Sequence, residues 1–311
     1  MGYIPFGYLR DFFEFLAARR DVEALTYADL DWGDDRDAAG GYPGEARAWR
    51  EALRSGRRDP AKAYVVIQQD VDTAPEQTVD ALRVQERLGV RSNVMIFNRR
   101  INRRLYRDTG RVEYTPYFGE EQRAYLQALE RKGFVVGYHC NAYERSAFSA
   151  AAAQRIMLED IEELRRQHRL GFMSAHGGPR DAQGRSNNSL PLPDGLEPPV
   201  RWVHNGYTLF FDATYSDGGM NSGRRPADAF DLRRFVAAMR PGGRYRVLLH
   251  PQYYGAEVER NPKLESAWYD EVLRAYSAAG SADAWRGVEP ARRAGTLERM
   301  VGSLVRRIAR R

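Results

Sequence analysis

Two aspartates, Asp70 and Asp72, stand at the end of the apolar run "AYVVIQQ" with only Val71 between them. In an extended backbone, residues two apart share a face, so both carboxylates project to the same side. Alone, their charges repel. Beside a divalent cation that repulsion is offset: one carboxylate can bind the metal while the other stays free to take a proton.

Other residues able to join such a site also follow apolar runs. Three of the chain's five histidines do so. His139 ends "FVVGYH", with Asn141 and Glu144 close behind; His176 ends "GFMSAH", inside "HGGP"; His250 ends "YRVLLH", inside "HPQ". Asp217 follows "LFFDATYS" inside "SDGG". One carboxylate and two neutral imidazoles make a three-ligand zinc site with an open position for water. Such a metal lowers the pKa of its water and polarises a carbonyl. A second carboxylate then serves as base and a protonated histidine as acid, which is the chemistry of hydrolysis. His168, on a polar helix, and His204, in a loop, read as structural. Cys140 neighbours His139 in a strand and so points to the opposite face, which argues against a thiol nucleophile.

Positioning these groups falls to an alternating pattern. Strand-like runs occur at "AYVVIQQ", "SNVMIF", "FVVGYH", "GFMSAH", "RWVHN", "YTLFFDATY" and "YRVLLH". Helical patterns lie among them over 76–88, 120–132, 150–167 and 227–239. Strands alternating with helices of about three turns predict βα units around a parallel sheet, and βα folds place ligand sites at the carboxyl ends of strands. A further helix is expected over 4–19 and another after the Asp/Gly/Pro-rich stretch that follows. "SNNSLPLPDGLEPPV", residues 186–200, is a long loop of the kind often tied to function.

The bulk numbers exclude several classes. In 311 residues, 43% hydrophobic and 12% aromatic content predicts a globular chain with a sizeable core. The formal charge is +6, and Lys62, Lys132 and Lys263 are the three lysines. The positive charge is therefore arginine spread along the chain, which fits solvated helix faces better than a nucleic-acid footprint. The dense cluster "LVRRIARR", residues 304–311, suits the last turn of a helix. A single cysteine excludes an intramolecular disulfide. The start has no uninterrupted apolar signal region, and no apolar stretch approaches the ~18 residues of a membrane span. The expected compartment is the cytoplasm.

Taken in order, the DxD pair, the strand-end His139, the "HG" of His176, "SDGG" and "LLHP" resemble the polysaccharide deacetylase superfamily (NodB-like, carbohydrate esterase family 4) over residues 62–255. The resemblance implies an irregular, seven-stranded (β/α) barrel in the α/β class, with a helical extension over 1–61 and C-terminal helices over 256–311. It implies a metal-dependent deacetylase, with Zn²⁺ as the expected metal and an N- or O-acetylated sugar or glycan precursor as substrate. Carried over, Asp70 is the general base, Asp72 and His139 are metal ligands, and His250 with its partner Asp217 is the general acid. "VLLHP" would line the acetyl pocket, and a backbone N–H near Tyr143 would help hold the oxyanion. Tyr143 stands where the family has a second histidine, so His176 is the expected third ligand, ahead of Glu144 and Asn141. The family also has an arginine touching the base, for which Arg180 is the available residue. Tyr143, Trp202, Tyr253 and Tyr254 are candidates for stacking on sugar rings. Other readings stay open: an inactive carbohydrate-binding relative, a DxD glycosyltransferase holding a nucleotide sugar through Mn²⁺, and a phosphatase with an aspartate nucleophile. The expected partner is a carbohydrate, with no nucleic acid and no membrane span.

Overall fold

The computed structural model describes residues 2–33, 41–178, 180–191, 196–203 and 209–277, together with Trp285 and Val288. His204 and the cluster at 304–311 lie outside the described residues.

A short strand β1 (Ile4–Pro5) leads into helix α1 (Phe6–Ala18), which buries Tyr8, Leu9, Phe12, Phe13 and Leu16 at helical spacing. Strand β2 (Val22–Leu25) and helix α2 (Pro43–Arg54) follow, with a proline at the start of α2 where its missing N–H costs nothing. The central strand β3 (Ala63–Val71) is buried along its whole length and runs into α3 (Pro75–Leu88), again opened by proline and closed by left-handed Gly89. Strand β4 (Asn93–Ile96) then gives way to an excursion: β5 (Arg99–Ile101), α4 (Arg103–Thr109) and β6 (Tyr114–Pro116), with β5 and β6 paired antiparallel. The βα pattern resumes with α5 (Glu120–Arg131), β7 (Val135–Cys140), a single turn α6 (Ala142–Arg145), α7 (Ala150–Arg165), β8 (Phe172–Ala175), β9 (Arg201–Trp202) and β10 (Ala213–Ser216). Helix α8 (Leu232–Ala237), β11 (Arg244–Leu249), β12 (Tyr254–Gly255) and α9 (Ala267–Ser277) complete the described chain.

Seven strands form one parallel path in the order β10-β11-β3-β4-β7-β8-β9, and β2 pairs with the first half of β3. Among the described residues the ends of the path, β10 and β9, are not paired to each other, so the (β/α) barrel is open. This is the irregular seven-stranded barrel that the resemblance implies, built on the parallel sheet that the strand runs predict. Two details differ. The first 61 residues supply two strands as well as helices, because "IP" and "VEAL" are too short to show a period of two. The helix expected over 227–239 is interrupted at Asp231, whose side chain accepts from the Arg233 N–H and the Tyr8 hydroxyl, both at 2.9 Å. A cap there ends one turn and starts α8.

Period-two alternation sorts the strand residues. One face of β3, with Ala63, Val65 and Ile67, packs in a core shared with α1, α8, α9 and β11. The opposite face carries Tyr64, Val66, Gln68 and Asp70 into the barrel. At the amino-terminal end of the barrel, Tyr64, Val66, Met95, Val135 and Phe172 meet Tyr27, Trp32, Tyr42 and Trp49 from the N-terminal segment. That aromatic plug closes one mouth, leaving the carboxyl-end mouth for chemistry. The terminal segments thus share cores with the barrel. Among the described residues no helix is long and apolar enough to cross a membrane.

The plug is locked by charge. Arg244 on β11 is fully buried and forms a two-pronged pair with buried Glu45 of α2, with Nη2 to Oε2 at 2.8 Å, and lies over the Trp49 ring. Glu45→Ala leaves an uncompensated buried guanidinium, so we expect a loss of about 3–5 kcal/mol in urea denaturation; a change within 1 kcal/mol, roughly the worth of an exposed pair, would mean the pair does not anchor the segment.

Candidate active site

On each neighbouring strand the last inward residue lies at the open mouth. Asp70 lies near the end of β3 and Asp72 just after it, Phe97 follows β4, His139 is near the end of β7, His176 follows β8, and His250 follows β11. Parallel pairing, with Gln69 opposite Leu249 and His139 opposite Ser174, brings these ends to one rim.

Asp72 is the hub. Its Oδ1 lies 3.1 Å from His139 Nε2 and 3.8 Å from His176 Nε2. Its Oδ2 lies 3.8 Å from His250 Nε2 and accepts from Gln252 Nε2 at 3.1 Å. Each imidazole has its other nitrogen occupied. His139 Nδ1 is 2.9 Å from Ser174 Oγ, His176 Nδ1 meets both Glu144 oxygens at 3.1 and 3.2 Å, and His250 Nδ1 is 2.6 Å from Asp217 Oδ1. Asp217, fully buried, also accepts the His250 backbone N–H at 2.8 Å, clamping the residue from two sides. Phe97 stacks on the His139 ring at 5.1 Å and meets His176 edge-on.

These contacts set the charges. Burial works to raise the Asp72 pKa, but the hydrogen bond from His139 and the charges of His250, His139 and His176 outweigh it and hold the carboxyl well below its usual range. Burial works to lower that of His250, but Asp217, followed by Asp72 and Asp70, raises it to about 9. Burial likewise opposes protonation of His176, and Glu144 and Asp72 overcome it to raise its pKa. A cation at the same point would reverse this balance for the imidazoles.

Asp70 lies just beneath. Its Oδ2 is 3.8 Å from His139 Nε2, and its Oδ1 accepts from Gln68 Nε2 at 2.5 Å. Gln68 is oriented by two donors to its own carbonyl, the Tyr27 hydroxyl at 2.5 Å and Arg246 Nη2 at 2.8 Å. With the carbonyl so occupied, the amide N–H₂ must face Asp70. Arg246 thereby reaches Asp70 through Gln68 without touching it. Arg180 instead reaches the Gly184 carbonyl at 3.3 Å and is exposed.

Other expectations are corrected. The Tyr143 N–H itself is engaged, donating to Asn187 Oδ1 at 2.8 Å, and its hydroxyl donates to Asp181. Asn187, from the long loop, also donates to the His176 carbonyl at 3.1 Å and ties that loop to the rim. Asn141 accepts from Arg145 at 3.5 Å, and Glu144 serves by holding His176. Of the "VLLHP" residues expected to line an acetyl pocket, Val247 and Leu249 belong to the core, whereas Leu248, opposite Gln68, shares the inward face. Trp202 and Tyr254 are buried, whereas Tyr253 is half-buried beside His250. Burial pushes the Cys140 thiol up to about 12, consistent with an inert cysteine. His168 pairs with Glu130 at 2.9 Å, a structural contact.

Among the described residues, no three His, Cys, Asp or Glu side chains already enclose a metal-sized gap, because His139 hydrogen-bonds Asp72 directly. The donors nevertheless fit a zinc ion in kind. Bonds of about 2.0–2.1 Å in a tetrahedron separate neighbouring ligands by roughly 3.3 Å, and the 3.1 and 3.8 Å spacings about Asp72 bracket that value. The Ser174 and Glu144 contacts behind His139 and His176 are of the kind that orient metal-ligating imidazoles.

No protein-family model and no curated protein matches the chain. Among solved structures it is similar to a family 4 acetyl xylan esterase from Clostridium thermocellum in complex with a cobalt ion. That alignment covers 78% of this chain and 91% of the other, at 13% identity and a TM-score of 0.33. A CE4 esterase from Streptococcus mutans aligns over 74% of this chain and 88% of its own, at 14% identity and a TM-score of 0.37. Superpositions this loose carry nothing about chemistry, which must come from the residues above.

Gly178 offers a direct test of the cluster. A Cβ there would fall 2.5 Å from both Glu144 Oε2 and His176 Cε1. Gly178→Ala should push that pair aside and weaken zinc binding, measured by competition with a chelator, by about 10–100-fold; unchanged affinity would remove His176 from the ligand set.

Proposed function

We propose that this chain is a zinc-dependent hydrolase of the polysaccharide deacetylase type, which removes an acetyl group from an N- or O-acetylated carbohydrate. The observation that carries this reading is the placement of a base and an acid around one ligand point. Asp70 Oδ2 and His250 Nε2 each lie 3.8 Å from a member of the Asp72–His139 pair.

Asp72, His139 and His176 would hold the ion. When bound, zinc supplies a Lewis acid for the acetyl carbonyl and lowers the pKa of water. The protein's own groups do the rest. Asp70, aimed by the Gln68 amide, takes the proton of the attacking water. His250, protonated and held by Asp217, gives a proton to the departing sugar nitrogen or oxygen. Gln252 keeps Asp72 from turning away. Two imidazole donors favour this hydrolase over a DxD glycosyltransferase, whose Mn²⁺ and phosphate prefer oxygen ligands. The main support for an inactive relative is the missing histidine at Tyr143, and His176 beside Asp72 offers that ligand from the next strand.

Acetate release from acetylated chitooligosaccharides and acetylated xylan by the zinc-loaded protein tests the proposal. Asp70→Asn should keep stoichiometric zinc and lose about 10²–10⁴-fold in kcat, while His139→Ala should lose the zinc. Full turnover by Asp70→Asn would sink the assignment. The Gln68 relay makes a separate prediction: Gln68→Leu should lower kcat by about 10²-fold through a misplaced Asp70, with zinc content unchanged. Wild-type kcat in that variant would leave Gln68 a packing residue.

A further inference from the structure

The cavity at the rim is larger than an acetyl group requires, about 690 Å³. One side is the metal-site edge, with Asp72, Asn141, Glu144 and His176. The other is the β5–β6 excursion, with Arg99, Arg100, Ile101, Asn102, Tyr114 and Thr115. Most charges on this lining are already answered. Asp72 and Glu144 face histidines, Arg99 pairs with Glu163 at 2.8 Å, and Arg145 pairs with buried Asp160 at 2.6 Å. Arg100 differs. It is exposed and has no carboxylate partner among the described residues, and its guanidinium sits over the Tyr117 ring at 5.6 Å from the centre.

Its backbone is also fixed, with Arg100 opposite Thr115 in the antiparallel pair. A guanidinium stacked on an aromatic face keeps its edge N–H groups available, and those groups match an oxyanion in bidentate geometry. The surrounding segment adds field. From 99 to 111 the sequence holds six arginines and one aspartate, a strongly cationic segment. Phe97, Tyr114 and Tyr117 give the same space an aromatic side suited to a sugar ring.

We infer that the substrate is an acidic saccharide, whose phosphate or carboxylate is bound by Arg100 while its acetyl group lies at Asp72. This rests on the deacetylase reading of the same site and names the substrate class within it. A neutral glycan would leave Arg100 with only water as partner. An anionic group on the sugar next to the acetylated one, or on the same ring, completes the charge pairing of the cavity.

The test compares three probes with the zinc-loaded wild type and with Arg100→Gln: N-acetylglucosamine, its 1-phosphate, and the N-acetylglucosamine–glucuronate disaccharide. At low salt, kcat/KM for one or both acidic probes should exceed that of the neutral sugar by about tenfold. Arg100→Gln should lower the acidic probes about tenfold more than the neutral one. Which acidic probe gains more separates phosphate from carboxylate. Equal turnover of all three by the wild type, or an equal fall for all in the variant, overturns the inference and leaves the deacetylase reading standing. If none is turned over, binding of inorganic pyrophosphate to the metal-free protein decides. About tenfold weaker binding in Arg100→Gln supports the anion site apart from any deacetylase chemistry, and unchanged binding overturns it.

Discussion

One half-buried carboxylate, Asp72, is shared by Nε2 atoms arriving from three different strand ends. That sharing is the constraint to which the rest of the structure answers. A carboxylate taken out of water is costly unless it is paired, and here the partners come from β7, the loop after β8 and the loop after β11. None of these is close to Asp72 in sequence. They can meet it only if the strands run parallel and in register, so that all of their carboxyl ends reach one rim. Each imidazole is in turn held from behind, by Ser174, Glu144 or Asp217. The orientation of the three rings is therefore a property of the sheet and its first turns together, which is how a site is kept in place before its ligand arrives.

The layers beneath support that rim. Along the inward face of β3, Tyr64 and Val66 sit in the aromatic plug, Gln68 carries the relay from Arg246, and Asp70 meets the site. Burial rises steadily in polarity from the closed mouth to the open one. Gln68 is the hinge between the two regimes: it accepts from a buried arginine on one side and donates to a carboxylate on the other. Asp70 and Asp72, two apart on one strand end, consequently have different surroundings. The first accepts from a neutral amide, whereas the second faces three imidazoles. In the proposed reaction that asymmetry would separate a proton acceptor from a ligand without needing a large distance between them.

Much of this was legible in sequence, and the part that was not has a common cause. Strand ends could be read because an apolar run followed by Asp or His is a local pattern, and Asp70, Asp72, His139, His176, Asp217 and His250 do converge on one rim. Gln68 and Arg246 were not recognised, because a polar residue inside an apolar strand shows its role only once register places Tyr27 and Arg246 around the same amide. Phe97 was passed over as the end of a strand, although it buttresses two histidines. The β5–β6 excursion was invisible as an element, since three-residue strands carry no measurable period. Tyr143 drew attention because it replaces an expected ligand, yet its hydroxyl turns to Asp181 and the next strand supplies a histidine instead. Local patterns marked the candidate residues, while long-range register decided which neighbours surround them.

The central claim is that Asp72 gathers His139 and His176 into one metal-binding point. Equilibrium dialysis of the full chain against zinc, followed by metal quantification in the wild type and in Asp72→Asn, tests it most directly. The account predicts one tightly held zinc per wild-type chain and its loss in the folded variant. A wild type that retains no zinc, or a variant that retains it fully, would contradict the account.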